Sequence, residues 1–309
     1  MSGSAASVAR VTATRPAAAI ARPAPVSSGP LPAVVITVFA WASAFVAIRA
    51  VGAHYDPGPL ALGRLVVGTL ALGVSVLVSR RWVAPNRTEW TLIAVAGVAW
   101  FGAYNIALNA AEQRVDAGTT AMLVNVGPIL IALFAGLLLG EGFPRWLVIG
   151  ALVAFSGAVL VGAATAQGTS DVWGAVLCLV AAVTYAIGVL AQKPAVRRLP
   201  PLQVTFLSCA IGAVVCLPFT PGLVREVAAA PVSASGWLVY LGVVPTALAF
   251  STWAYALARM DAGRLGVSTY AVPPITIALG AGLLGEVPPP LAVVGGVICL
   301  VGVGLSRRR

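Results

Sequence analysis

Arg114-Val115-Asp116-Ala117-Gly118 returns 145 residues later as Arg259-Met260-Asp261-Ala262-Gly263. In the same ungapped frame Pro128 maps to Pro273, Gly140-Glu141 to Gly285-Glu286, Pro144 to Pro289, Gly150 to Gly295 and Gly157 to Gly302. The duplication continues upstream at an offset of 144. There Trp41-Ala42-Ser43-Ala44-Phe45 aligns with Tyr185-Ala186-Ile187-Gly188-Val189, Arg49 with Lys193, and Pro57 with Pro201. Apolar composition alone does not place glycines, prolines and acids in one frame. Two copies that each hold an odd number of spans face opposite sides of a membrane, a common construction among secondary transporters.

The composition requires that membrane. The chain of 309 residues is 60% hydrophobic and 9% charged, with a mean hydropathy of +0.98. Soluble domains are about half apolar and about a quarter charged. Ten apolar segments cover residues 31–50, 60–79, 90–110, 117–139, 146–163, 173–191, 203–219, 236–257, 262–284 and 290–306. Each has about the 20 residues that a helix needs to cross the hydrocarbon. The fold expected is all-α and integral to the membrane: ten transmembrane helices forming two inverted repeats of five. Residues 1–29 read as a disordered cytoplasmic tail, because Pro16, Pro23 and Pro25 interrupt any amphipathic helix. The repeats occupy 30–165 and 170–307.

Basic residues set the orientation. With the N-terminus inside, fifteen of the nineteen Lys and Arg fall on the cytoplasmic side, and only Arg49, Arg64, Arg114 and Arg225 do not. Both termini are therefore expected in the cytoplasm, with the first RxDAG loop outside and the second inside. The net charge of +10 follows from this bias and implies no nucleic-acid partner; the partners expected are the lipid bilayer and a small-molecule substrate, with the chain a monomer or homodimer. Cys178, Cys209, Cys216 and Cys299 lie in apolar runs without metal-ligand spacing, so they read as small buried hydrophobes. No cofactor or metal is expected. Trp82, Trp90, Trp146, Trp173 and Trp237 stand at span ends as interfacial anchors.

Polar residues inside the apolar segments are few, and each needs a partner in hydrocarbon. Tyr104, Asn105 and Asn109 lie in the third segment, Asn125 in the fourth, Ser251, Thr252 and Tyr255 in the eighth, and Tyr270 in the ninth. Asn125 and Tyr270 occupy the same repeat position, just before Pro128 and Pro273-Pro274. A proline inside a helix frees the carbonyl four residues earlier, here those of Val124, Thr269 and Tyr270. Backbone exposed near mid-membrane in both halves marks a substrate site, or else a kink that fits the bundle. Trp41 and Phe45, four residues apart, form an aromatic stripe that serves packing or binding. Arg64 has three readings: contact with an anionic substrate group, pairing with Asp56, or a snorkelling arginine at the interface. Glu141 ends its helix four residues before Arg145, so pairing at the helix end is expected. His54, the sole histidine, lies in an external loop.

These features together resemble the drug/metabolite transporter superfamily, and within it the EamA-type branch. The likeness rests on the ten segments, Trp41-Ala42-Ser43-Ala44-Phe45, the Pro57-to-Arg64 spacing, the Gly-Glu ends and the duplication, and it covers residues 31–306. It implies a ten-helix plasma-membrane transporter of small metabolites, often an exporter of amino-acid-related compounds, with a central cavity between the halves. The serine at 208, opposite Arg64, departs from the repeat. A membrane-embedded enzyme, or a channel or structural subunit, is the alternative; the chain lacks paired carboxylates, a Ser–His pair and a GxxxxGK[ST] loop, so a non-enzymatic carrier that does not hydrolyse ATP is expected.

Overall fold

The computed structural model describes residues 29–114, 120, 123–165, 171–284 and 289–308. The N-terminal tail, most of the first RxDAG loop and Glu286 lie outside these. The described residues form helices joined by turns and short irregular segments, with no strand among them. The helices are α1 (Leu31–Val51), α2 (Pro57–Ser79), α3 (Arg87–Glu112), α4 (Gly127–Leu138), α5 (Arg145–Thr165), α6 (Val172–Ala195), α7 (Pro201–Val215), α8 (Thr220–Ala229), α9 (Val232–Leu257), α10 (Ala262–Ser268), α11 (Val272–Leu284) and α12 (Pro290–Ser306). Among the described residues, five helices are long and apolar enough to cross a membrane, or six if α7 and α8 count as one span bent by 52°. The protein is thus a multi-pass membrane protein.

Local sequence accounts for the helix starts. Pro57, Pro201 and Pro290 each open a helix, where the missing N–H has no intrahelical partner to lose. Asn86 and Glu89 form a capping box at the start of α3. Asp171 accepts the N–H of Trp173 at 2.9 Å. That bond, more than the nearby Arg114, holds its carboxyl below the usual carboxylate range. The apolar segment expected over 203–219 stops earlier. α7 ends at Val215, and Pro218 and Pro221 redirect the chain into α8.

α3 and α9 each carry a π-helical stretch, Gly97–Ala103 and Gly242–Leu248, 145 residues apart. A π turn widens the helix and leaves carbonyls poorly served. Side chains complete them here. The amide of Asn105 donates to the Phe101 carbonyl at 2.8 Å and to the Trp100 carbonyl at 3.4 Å. The Thr246 hydroxyl donates to the Leu241 carbonyl at 2.8 Å.

Helix packing repeats the sequence duplication. α1 packs on α9 and α11, as its counterpart α6 packs on α3 and α4. α2 meets the π stretch of α9, as α7 meets that of α3. α5 and α12, themselves counterparts, run against each other through glycines. A Cβ at Gly157 would lie 2.6 Å from both the Cys299 nitrogen and the Gly295 oxygen, and one at Gly150 would lie 2.6 Å from the Gly302 oxygen. This is the close backbone approach that small residues permit in lipid. Apolar side chains such as Leu70, Leu77, Leu138, Leu152 and Val176 cover the outside. Trp82, Trp90, Trp173 and Trp237 are exposed near helix ends, and all four cysteines are buried.

Gly157→Val should therefore separate α5 from α12, at a cost of about 1–3 kcal/mol or more. Thermal unfolding in detergent micelles should show a clearly lowered midpoint. Gly304→Val, where an added Cβ meets nothing within 4 Å, should leave it near that of the parent.

Candidate functional site

Two helix breaks face each other at the centre of the repeat. α4 follows a turn at Asn125-Val126, and α11 follows a 3-10 turn at Thr269–Ala271. Pro128 and Pro273 are the second residues of α4 and α11. They start helices rather than kink them from within, so the missing donor costs little. The carbonyl of Val126 is taken by the N–H groups of Ile129 and Leu130, both at 3.1 Å. The fully buried Tyr270 hydroxyl donates to the Asn125 carbonyl at 2.7 Å. Thus two residues 145 apart in sequence, in equivalent positions, join the breaks directly. Pro274 packs against Gly296 of α12.

An aromatic group lies beside these breaks. Trp41 stands 5.0 Å from Trp253, 5.4 Å from Phe250 and 6.1 Å from Trp100, between ring centres. Its repeat mate Tyr185 stands 5.2 Å from Trp100, 6.0 Å from Tyr104 and 6.2 Å from Trp253. Phe45 is half-buried at the edge of the same core. Trp253 is buried, and its indole Nε1 has no hydrogen-bond partner among the described residues. Sequence reading of isolated polar residues overlooked Tyr185, Thr246 and Trp253. Only Tyr185 carried a signal, its alignment with Trp41.

Arg64 is 5% exposed, far from the interface role. Its Nε donates to the Thr246 hydroxyl at 3.2 Å. Tyr104, Cys209 and Glu112 lie within electrostatic reach of the guanidinium. Asp56 does not pair with it; that residue is exposed and its N–H donates to Glu226 at 3.0 Å. Asn109 is buried, donates to the Pro57 carbonyl at 3.0 Å, and leaves its own carbonyl oxygen without a hydrogen-bond partner among the described residues. Beside Pro57 an open depression of about 460 Å³ is lined by Gly58, Ile106, Phe219, Arg225 and Glu226.

The other polar residues serve different ends. Asn105 completes the π turn of α3. The Ser251 hydroxyl donates to the Ala247 carbonyl at 2.6 Å. Thr252 bonds the Thr37 hydroxyl at 2.7 Å and so ties α9 to α1. Tyr255 is not gathered with the rest; it is 39% exposed, with the Arg259 guanidinium 3.5 Å from its ring centre.

The second RxDAG loop is held from two sides. Glu141 accepts the N–H groups of Ala262 and Gly263 at 2.8 and 3.1 Å. Lys193 donates to the carbonyls of Leu257 and Met260 at 2.8 and 2.6 Å. The expected pairing of Glu141 with Arg145 is replaced by this capping of α10, and Arg145 lies over Trp146 instead. A carboxylate on N–H groups and an ammonium on carbonyls give charge-assisted hydrogen bonds at both ends of one loop.

Tyr270→Phe removes the hydroxyl that donates to the part-buried Asn125 carbonyl. The expected cost is about 0.5–1.5 kcal/mol, read as a lowered unfolding midpoint in detergent. Tyr255→Phe, on the exposed face, should leave the midpoint unchanged.

Comparison with known proteins bears on the whole chain. Over 281 residues it is 38% identical to a protein of Streptantibioticus cattleyicolor named as a probable terminal-alkyne amino-acid exporter, covering 90% of this chain and 93% of that one. An uncharacterized transporter of Bacillus subtilis is 31% identical, covering 85% and 86% of the two chains. A solved crystal structure superposes with a TM-score of 0.74 at 21% identity, covering 91% of this chain and 96% of the other, a likeness of fold. The profile of the EamA-like transporter family matches twice, over residues 30–163 and 172–308. With both halves of its helical bundle matched and its relatives named as transporters, this chain belongs to the EamA-like transporter family.

Proposed function

We propose that the protein is a secondary transporter that exports small polar metabolites, such as amino-acid-related compounds, by alternating access between two inverted repeats of five helices. In this reading the ten helices are α1 to α7, α9, the broken pair α10–α11, and α12. The repeats span 30–165 and 170–307, residues 1–29 form a cytoplasmic tail, and both termini face the cytoplasm of a cell whose plasma membrane holds the protein. The substrate site is central. Trp41, Phe45, Arg64, Tyr104, Asn109, Asn125 and Tyr270 would line it, with Asn105, Ser251 and Thr252 supporting the helices around it.

One observation carries the reading: the Tyr270–Asn125 bond, which joins the same repeat position at the two helix breaks. A pseudo-twofold axis in the membrane plane would bring such positions together at mid-depth. Loop contacts support the grouping of the loops into two sides. Arg114 pairs with Asp171 at 3.3 Å and Tyr55 bonds Ser235 at 3.1 Å, all four on the side expected outside. Arg198 pairs with Glu89, and Glu141 caps Ala262, on the side expected inside. The cargo class takes support from the name of the Streptantibioticus relative.

Two experiments test this. Purified protein in proteoliposomes should give saturable counterflow of at least one labelled neutral amino acid; flux that never saturates points to a channel, and its absence with every cargo tried removes the carrier reading. Single cysteines at Ala117 and at the exposed Asp261 should react with an impermeant reagent from outside and inside, respectively. The reverse pattern, or one face for both, contradicts the inverted repeat.

A further inference from the structure

A guanidinium buried to 5% exposure, two turns into α2, calls for an anion. Arg64 has one neutral acceptor, Thr246, and among the described residues it forms no ion pair with a carboxylate. A cation so placed is costly without a charged partner. Its other neighbours, Tyr104 and the thiol of Cys209, supply none at neutral pH. Glu112 is close enough to be felt but forms no ion pair with it.

What lies beyond Arg64 has a defined shape. Thr246, its acceptor, lies in the π stretch of α9, and Trp253 is seven residues further along the same helix, about 10 Å. Tyr104 lies within electrostatic reach of Arg64, and its ring is 6.0 Å from that of Tyr185, which is 6.2 Å from that of Trp253. The far end is aromatic, and the indole N–H of Trp253 has no protein acceptor among the described residues. A charged end and an aromatic end thus stand about 10 Å apart along α9.

We infer that Arg64 is the anchor for a carboxylate on the cargo, and that the Trp41–Tyr185–Trp253 group receives an uncharged, apolar remainder. The substrate class assigned is a monocarboxylate of amino-acid size with an apolar side chain. A guanidinium suits this task because its planar fork matches a carboxylate with two parallel hydrogen bonds. Bound cargo would supply the direct ion-pair partner that Arg64 lacks among the described residues, while the aromatic faces accept a saturated or unsaturated hydrocarbon tail. Acidic side chains would meet no second cation at the aromatic end. This inference rests on the carrier reading above and adds to it which end of the cargo is recognised, and by which residue.

The test is inhibition of labelled L-leucine counterflow in proteoliposomes. Unlabelled 4-methylpentanoate keeps the carboxylate and lacks the amine; isoamylamine and L-leucinamide lack the carboxylate. For the parent protein, 4-methylpentanoate should inhibit at least tenfold better than isoamylamine or L-leucinamide. Arg64→Gln should abolish that preference, and Arg64→Lys, which keeps a charge but loses the fork, should keep part of it. Trp253→Phe keeps an aromatic ring but loses the indole N–H and part of the bulk, and should weaken leucine more than it changes the preference for a carboxylate. If the parent carries leucine but is inhibited equally by acid and amide, or if Arg64→Gln retains the preference, the anchor is wrong while the carrier reading stands. If the parent exchanges other neutral cargo but neither binds nor carries leucine or 4-methylpentanoate, the assigned substrate class is wrong. If Arg64→Gln does not fold, Arg64→Lys and the parent's own inhibitor preference still decide the matter.

Discussion

A backbone N–H or C=O inside hydrocarbon needs a partner within the protein. Wherever this chain departs from a plain α-helix, that constraint decides what stands beside it. The π stretches of α3 and α9 are completed by Asn105 and Thr246. The break before α4 is completed by Tyr270, reaching over from the other half. The loop before α10 is completed by Glu141 and Lys193, which come from two other elements. Most of the informative polar side chains are thus assigned to backbone groups. The exceptions include the guanidinium of Arg64, the Asn109 oxygen, the Gln192 amide, the Tyr185 hydroxyl and the indole of Trp253.

The duplication was the most legible feature because it is written in residues that geometry requires. Gly150, Gly157, Gly295 and Gly302 mark the crossing of α5 and α12, where a Cβ would meet backbone. Pro128 and Pro273 mark helix starts on either side of the Tyr270–Asn125 bond. Glycine and proline are read from sequence reliably since each has one dominant backbone reason to be where it is.

The rest was hidden for physical reasons. A π turn has no composition of its own; Gly97–Ala103 and Gly242–Leu248 look like ordinary apolar helix. The direction of a side chain around a helix that is apolar on every face cannot be taken from periodicity, since lipid and core select the same residues. Hence Tyr255 was grouped with Ser251 although it faces outward under Arg259. Trp253, whose indole lacks an acceptor, was passed over as one more apolar residue. The expected Glu141–Arg145 pair failed because a carboxylate gains more from two N–H groups at a helix start than from one exposed arginine.

The central claim is that two equivalent halves exchange roles across the membrane. Double electron–electron resonance in nanodiscs tests it most directly. One spin-label pair would replace Arg114 and Arg225, on the face assigned to the outside, and a second pair Arg145 and Arg197, on the face assigned to the inside. The account predicts two distance populations for each pair, and saturating L-leucine should shift the two faces in opposite directions. A single unchanging distance at both faces, or both faces widening together, would contradict it.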